Sequence, residues 1–183
     1  MNIFVTDPDP WKSARVLPDK HIVKMPLETC QMLSIVASER WGHGFGTLPK
    51  ADGTPYSTER GAFRNHPCTK WVGDTNANYV WTALHGLALC HEYTLRYDKT
   101  HACENGIKQM SDMLDMIPKG PQTEYAQAMP DEYRKWGDAV EAYRDYYWHE
   151  KRDFAKWEKG QTAPWWWIKR EDKELNIYGR CVA

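Results

Sequence analysis

Between Asp19 and about Arg40 the apolar residues return with the period of an α-helix. With Ile22 set at zero and 100° per residue, Ile22, Pro26, Thr29, Leu33 and Val36 fall within about 40° of one direction, a core face. Lys20, His21, Lys24, Glu28 and Gln31 fall on the opposite arc, between about 160° and 260°. Ahead of this helix, Met1 to Pro18 form a short leader in which Asp7-Pro8-Asp9-Pro10 reads as a turn and Trp11 to Leu17 as one helical segment. Trp41 to Pro67, with five glycines and three prolines and no sustained period, reads as a long loop. Pro67 suits the first turn of the next helix, expected from Cys68 to Tyr97 with a break near Gly73-Asp74. Within it Val80, Leu84 and Leu87, flanked by Ala83 and Cys90, predict an inward stripe and a central helix. A further helix fits Cys103 to Met116, ending before Pro118, and Pro130-Asp131-Glu132 has the acids of a helical start. The last long helix is expected over Asp138 to Trp157, with Val140, Tyr143, Tyr147 and Phe154 on one side. An aromatic-rich tail, about 160–183, carries Trp165-Trp166-Trp167. Strand patterns are scarce and there is no internal repeat, so residues 1–183 are expected to form a single all-α domain with long irregular connections.

Composition narrows the function. A chain of 183 residues is long enough to bury roughly 70% of its unfolded surface without a metal or disulfide staple. The 24 basic residues are balanced by 25 acids, so any contact with nucleic acid must use a local patch rather than global charge. Ten tryptophans and ten tyrosines are expected mostly in the core, the remainder being available to stack on bases. The five cysteines are odd in number, widely spaced and without a CxxC, which reads as reduced thiols in a cytoplasmic protein. The start lacks a basic and an apolar signal region, and the longest apolar stretch, Val80 to Cys90, is too short for a bilayer. No membrane association is expected.

The polar arc joins amines, an imidazole, a carboxylate and an amide, the groups that move protons and attack electrophilic carbon. An ordinary solvated helix face is the competing reading. Because the arc follows so short a leader, the chain's α-amine can fold back to it. An α-amine in a free chain titrates at about 7.7–8.0 against about 10.4 for lysine, which makes it the amine most available as a nucleophile near neutral pH. The other candidates are weaker. His85 and His91 share no helix face and have no acidic partner at ligand spacing, so no metal and no cofactor is expected. His66, in Arg64-Asn65-His66-Pro67, suits capping and phosphate contact equally. Gly42, Gly44 and Gly46 follow a helix rather than a strand, which disfavours a phosphate loop. Lys151, Arg152, Lys156 and Lys159 are interleaved with acids near Phe154 and Trp157, and read as a solvated helix face.

Asp19-Lys20-His21 followed seven residues after the histidine by Glu28 resembles the active-site helix of the phage pyrimidine-dimer DNA glycosylase/AP lyases, the endonuclease V type of T-even phages, and of their bacterial relatives. Lys12 to Leu17, Asn65-His66-Pro67 and Leu87 to Glu92 are similar to further motifs of the bacterial relatives, so the resemblance spans about the first 100 residues. It implies an all-α enzyme, in the host cytoplasm if phage-encoded. An N-terminal amine would attack C1′ of a deoxynucleotide and expel the base through a Schiff base, and β-elimination would then nick the strand. Glu28 would be the catalytic carboxylate and His21 a DNA contact, with Lys20, Lys24, Gln31, Arg64, Asn65 and His66 as further DNA-binding candidates. The phage enzyme exposes a threonine amine once its initiator methionine is lost. Asn2 is too large for that processing, so the expected amine is that of Met1, with Lys20 or Lys24 as substitute. Family arginines that grip DNA stand here as Leu27 and Gln31, leaving Lys20 and Lys24 as the nearest cations.

Three readings follow: a glycosylase/lyase acting on a damaged or modified base in DNA; a related enzyme using modified DNA or nucleotides in another transfer reaction; and a non-enzymatic helical protein whose arc binds nucleic acid or protein. The first two require Glu28 and the Met1 amine in one pocket. The third places the arc on open surface with Met1 far away.

Overall fold

The computed structural model describes residues 1–41 and 63–180, and among them the chain is helical with no strand. The Asp9 carboxylate accepts the N–H groups of Trp11 and Lys12 at 2.8 and 3.1 Å and so starts α1, Pro10–Arg15, one residue before and ending two residues short of the expected Trp11 to Leu17. Helix α2 runs Asp19–Trp41 and buries Ile22, Pro26, Thr29, Leu33 and Val36, the expected face. Helix α3, Pro67–Asp74, opens with Pro67, and the His66 imidazole accepts the Cys68 N–H. Helix α4, Asn76–Tyr97, is separate because Thr75 turns extended and its hydroxyl accepts the Asn78 N–H, a cap that ends one helix and begins the next. Of the loop expected over Trp41 to Pro67, residues 42–62, including Gly42, Gly44 and Gly46, lie outside the described residues.

Helix α4 is central, packing on α1, α2, α3 and on α5, Glu104–Ser111. At Gly86 it lies so close to α2 that an added Cβ would stand 2.5 Å from Thr29 Cγ2, so glycine is what lets the two helices meet there. A buried ionic knot ties the same layers. Arg96 on α4 bonds the Asp19 carboxylate at 2.9 Å, Glu92 at 3.3 Å and the carbonyls of Leu17 and Arg15. Asp19 also accepts the Glu158 N–H at 2.7 Å. Four of the motif residues quoted above, Arg15, Leu17, Asp19 and Glu92, are thus joined through one guanidinium, and a buried charge of this kind is tolerable only when fully paired.

The C-terminal half departs from the expected pattern. The stretch Cys103 to Met116 is α5 followed by a separate 3₁₀ turn at Leu114–Met116. Pro130-Asp131-Glu132 starts only a 3₁₀ turn, Asp131–Tyr133. Helix α6 spans Ala139–Glu150 and stops short of Trp157, because the chain beyond Lys151 is drawn onto α2: the Lys156 carbonyl accepts the Asp19 N–H. Phe154 therefore lies outside the helix. The aromatic tail contains a helix, α7, Trp165–Arg180. Of the expected α4 stripe, Ala83 and Cys90 are buried and Leu87 packs partly on the core, but Val80 is only half-buried and Leu84 is exposed, since the buried residues of α4 also include Tyr79, Gly86 and Leu89. Cys30, Cys68, Cys90 and Cys103 are all buried, and none of them forms a disulfide among the described residues. No helix among the described residues is long and apolar enough to cross a membrane.

Candidate active site

The chain's first residues are pinned into the core beneath α2. The Asn2 carboxamide is a buried hub: Nδ2 donates to the Ala128 carbonyl at 2.8 Å, while Oδ1 accepts the Ile3 N–H at 2.8 Å and faces the Tyr143 hydroxyl at 2.6 Å. Phe4 then takes a left-handed φ of +42°, a conformation of order 1–3 kcal/mol in cost for a non-glycine residue. Its ring is held among His21, Tyr143, Tyr146 and Tyr147.

This path brings Met1 to Glu28. The Met1 nitrogen lies 3.6 Å from Glu28 Oε2, and the Asn2 N–H donates to the same oxygen at 2.9 Å. Lys24, one turn back on α2, places Nζ 3.1 Å from Glu28 Oε1. The Glu28 side chain is only 9% exposed whereas that of Lys24 is 67% exposed, so the carboxylate reaches outward only through its two amines. The Met1 side chain is 1% exposed although the residue as a whole is half-buried, so what Met1 presents to solvent is its main chain.

These groups line a cavity of about 480 Å³, with Lys20 and His21 from α2, Ala128 from the long connection, and Tyr146, Lys151 and Phe154 from α6 and beyond. His21 Nδ1 is hydrogen-bonded to the Tyr147 hydroxyl. Burial, then the charges of Lys151 and Lys24, lower the His21 imidazole from about 6.5 to about 3, so it is neutral at physiological pH. The Tyr147 hydroxyl has no other acceptor among the described residues, so it donates to Nδ1 and leaves Nε2 as the N–H donor. Lys20 Nζ sits 5.7 Å from the Phe154 ring centroid and Lys151 Nζ 4.7 Å from that of Tyr146. Cations on aromatic faces at the mouth of a cavity suit a phosphate backbone and unstacked bases.

Of the residues proposed from sequence, Met1, Lys20, His21, Lys24 and Glu28 line this cavity. Gln31 is half-buried one turn further along α2 and outside the lining. Arg64 and Asn65 are exposed on the turn before α3. His66 caps α3, and its imidazole is lowered by burial and by the Met1 amine, with Glu28 opposing, so it neighbours the site. Lys151 lines the cavity instead of forming a solvated helix face, and Asn2, Tyr146 and Phe154 were not expected there, nor Tyr147 as the partner of His21. The only sequence signal for these was the aromatic richness near Lys151. Among the described residues no three His, Cys, Asp or Glu side chains could hold a metal ion. His85 is buried and stacked on Trp81 at 4.9 Å, and His91 is exposed against Trp11.

An all-helical protein that seats its own first amine beside a buried carboxylate, in a lysine-rimmed cavity, has the parts of an enzyme acting on an anionic polymer. Residues 1–105, more than half of the chain, match the pyrimidine dimer DNA glycosylase family, and the protein belongs to that family. Membership makes DNA the substrate class and DNA repair the process. Neither the curated proteins nor the solved structures contain a match.

Proposed function

We propose that the protein is a glycosylase/AP lyase that removes a base of a pyrimidine dimer with the Met1 amine as nucleophile and Glu28 as catalytic carboxylate. The observation that carries this reading is the 3.6 Å separation of the Met1 nitrogen from Glu28 Oε2 within one cavity. A pure binding arc would leave Met1 remote.

The unprotonated amine attacks C1′, and the glycosidic bond breaks with its electron pair leaving on the base, which takes up a proton. Loss of the amine proton and opening of the sugar ring give the imine. Removal of a C2′ proton then expels the 3′ phosphate by β-elimination, and water frees the amine. Positive charge develops on the sugar and on the attacking nitrogen, and Glu28 is the nearest anion to both. The Asn2 N–H occupies one lone pair of Oε2 and aims the carboxylate. Neutral His21 offers Nε2–H to a phosphate oxygen, and Lys20, Lys24 and Lys151 bind the backbone around the reacting nucleotide. Arg64, Asn65 and His66 extend this contact on the α3 side, whereas Gln31 is a contact beyond the cavity at most.

One observation favours a second nucleophile: Lys24 Nζ is nearer to Glu28, at 3.1 Å, than Met1 is. An α-amine is intrinsically the less basic group, which favours Met1. Borohydride trapping decides. The protein is incubated with a duplex carrying an abasic site or a cyclobutane pyrimidine dimer, reduced, and the adduct mapped by mass spectrometry. An adduct on Met1 is expected; one on Lys24 or Lys20 moves the nucleophile, and none on either substrate overturns the imine reading.

A further inference from the structure

Glu28 and the rim lysines account for the chemistry of the amine but not for what holds it in place. On the proposed reading the Met1 amine is tethered on one side only, and it needs a second constraint to stay beside Glu28. The first turn of α3 supplies one. Thr69 is buried, and its hydroxyl donates to Met1 Sδ at 3.3 Å. No other partner of this hydroxyl exists among the described residues, so the pair satisfies a group that would otherwise be a buried orphan. One residue earlier, the Cys68 thiol, pushed by burial up to about 12 and hence protonated, lies 3.8 Å from Asn2 Oδ1. Cys68 N–H in turn donates to His66 Nδ1 at 3.2 Å, which keeps that imidazole beside the amine. Three residues at the start of α3, its cap His66 and the first-turn residues Cys68 and Thr69, thus bear on the first two residues of the chain. The helix is itself seated on α2, where a Cβ at Gly73 would lie 3.4 Å from Val36.

We propose that the first turn of α3 is a clamp for the nucleophile, with Thr69 a positioning residue that acts on the Met1 amine through the buried Met1 thioether. A thioether is a weak acceptor, yet it is the only polar atom of the Met1 side chain and fixes its rotamers. With the side chain held, the amine stays in reach of Glu28; with it loose, the amine samples positions from which C1′ is out of line, and misplacement by about 1 Å costs on the order of a hundredfold in such reactions. The proposal rests on the reading of Met1 as the nucleophile.

The test compares wild type with Thr69→Val, which removes the hydroxyl at nearly constant shape, and Thr69→Ser, which keeps it. Thr69→Ala set against Thr69→Ser isolates the hydroxyl again without the β-branch, should valine disturb packing. Three quantities are read: the single-turnover rate of the trapped adduct on saturating abasic duplex, the Kd for that duplex, and the rate at which cyanate carbamylates Met1 without DNA. Thr69→Val and Thr69→Ala are expected to slow trapping at least fivefold and to speed carbamylation at least twofold, with Kd within twofold. Thr69→Ser should stay within twofold of wild type throughout. Wild-type trapping and carbamylation in both hydroxyl-less variants would overturn the clamp. If wild type forms its adduct on a lysine, the nucleophile reading fails by itself, and the carbamylation rates still decide whether Thr69 holds the amine.

Discussion

Replacing Glu28 with glutamine tests the site most directly, because it removes one charge and almost no volume. The carboxylate stands 3.6 Å from the Met1 nitrogen, where an opposite charge interacts with about 5 kcal/mol at an effective dielectric constant of about 20. Lys24, 3.1 Å from the other carboxylate oxygen, already neutralises part of that charge, but its largely exposed ammonium is screened by water. Taking roughly 3–4 kcal/mol as the loss felt by the positive transition state, the single-turnover rate on a dimer-containing duplex should fall about 10²–10³-fold. Affinity should hold within about threefold or tighten, since the rim lysines remain and an anion is withdrawn from a phosphate-binding cavity. The assay pairs gel-resolved cleavage under single turnover with Kd by fluorescence anisotropy at fixed salt. Glu28→Gln cleaving at more than a third of the wild-type rate would refute the role assigned to this carboxylate, and an equal loss of binding and rate would make Glu28 a structural residue instead.

Two further outcomes test the frame around the site. A methyl group at Gly86 would meet Thr29 Cγ2 at 2.5 Å, so Gly86→Ala should lower the free energy of unfolding in urea by about 1–3 kcal/mol as α2 and α4 are forced apart; a change below about 0.5 kcal/mol would mean that the interface yields freely. His21 and His85 both sit near 3 in the folded protein against 6.5, in each case mainly through burial. The unfolded chain therefore binds the extra protons, so their contribution is complete above about pH 6.5 and is lost as pH falls toward 3, by up to about 1.4 kcal/mol per pH unit for each ring. Urea midpoints measured from pH 7 to 4.5 should decline accordingly, and neither ring should titrate by NMR above about pH 4. A ring that titrates near 6.5 would contradict its placement.

The polar arc of α2 was legible because helical geometry alone sets five side chains on one side, and four of them, Lys20, His21, Lys24 and Glu28, line the cavity. Gln31 shares the arc but lies one turn beyond the end of the cavity, a limit set by the residues packed opposite α2 and not by α2 itself. Those opposite residues were not legible. Phe154 and Lys151 sit more than 120 positions from Lys24 and reach it only because α6 ends at Glu150 and Asp19 captures the Lys156 backbone, a tertiary choice that local helix propensity does not encode. The α4 stripe failed at Leu84 for a related reason. A helix covered on most sides buries small and polar residues such as Gly86, Asn78 and Thr82, so its most apolar line is no guide to its inner face.

Asn2 shows how a residue invisible to pattern analysis can govern the chemistry. On the proposed reading, its size keeps Met1 in place as the first residue, so the amine carries a long apolar side chain that can be buried against Thr69. Its N–H aims Glu28, and its carboxamide, tied to Ala128, Ile3 and Tyr143, holds the chain in the turn that gives Phe4 its positive φ. The strain at Phe4 is offset by those bonds and by the ring's packing against His21, the same imidazole proposed to contact the DNA. Nucleophile, carboxylate and phosphate donor are therefore set by one four-residue segment. A substitution at Asn2 would disturb all three at once, whereas substitutions at the rim lysines would weaken DNA binding and leave the geometry of the reacting groups intact.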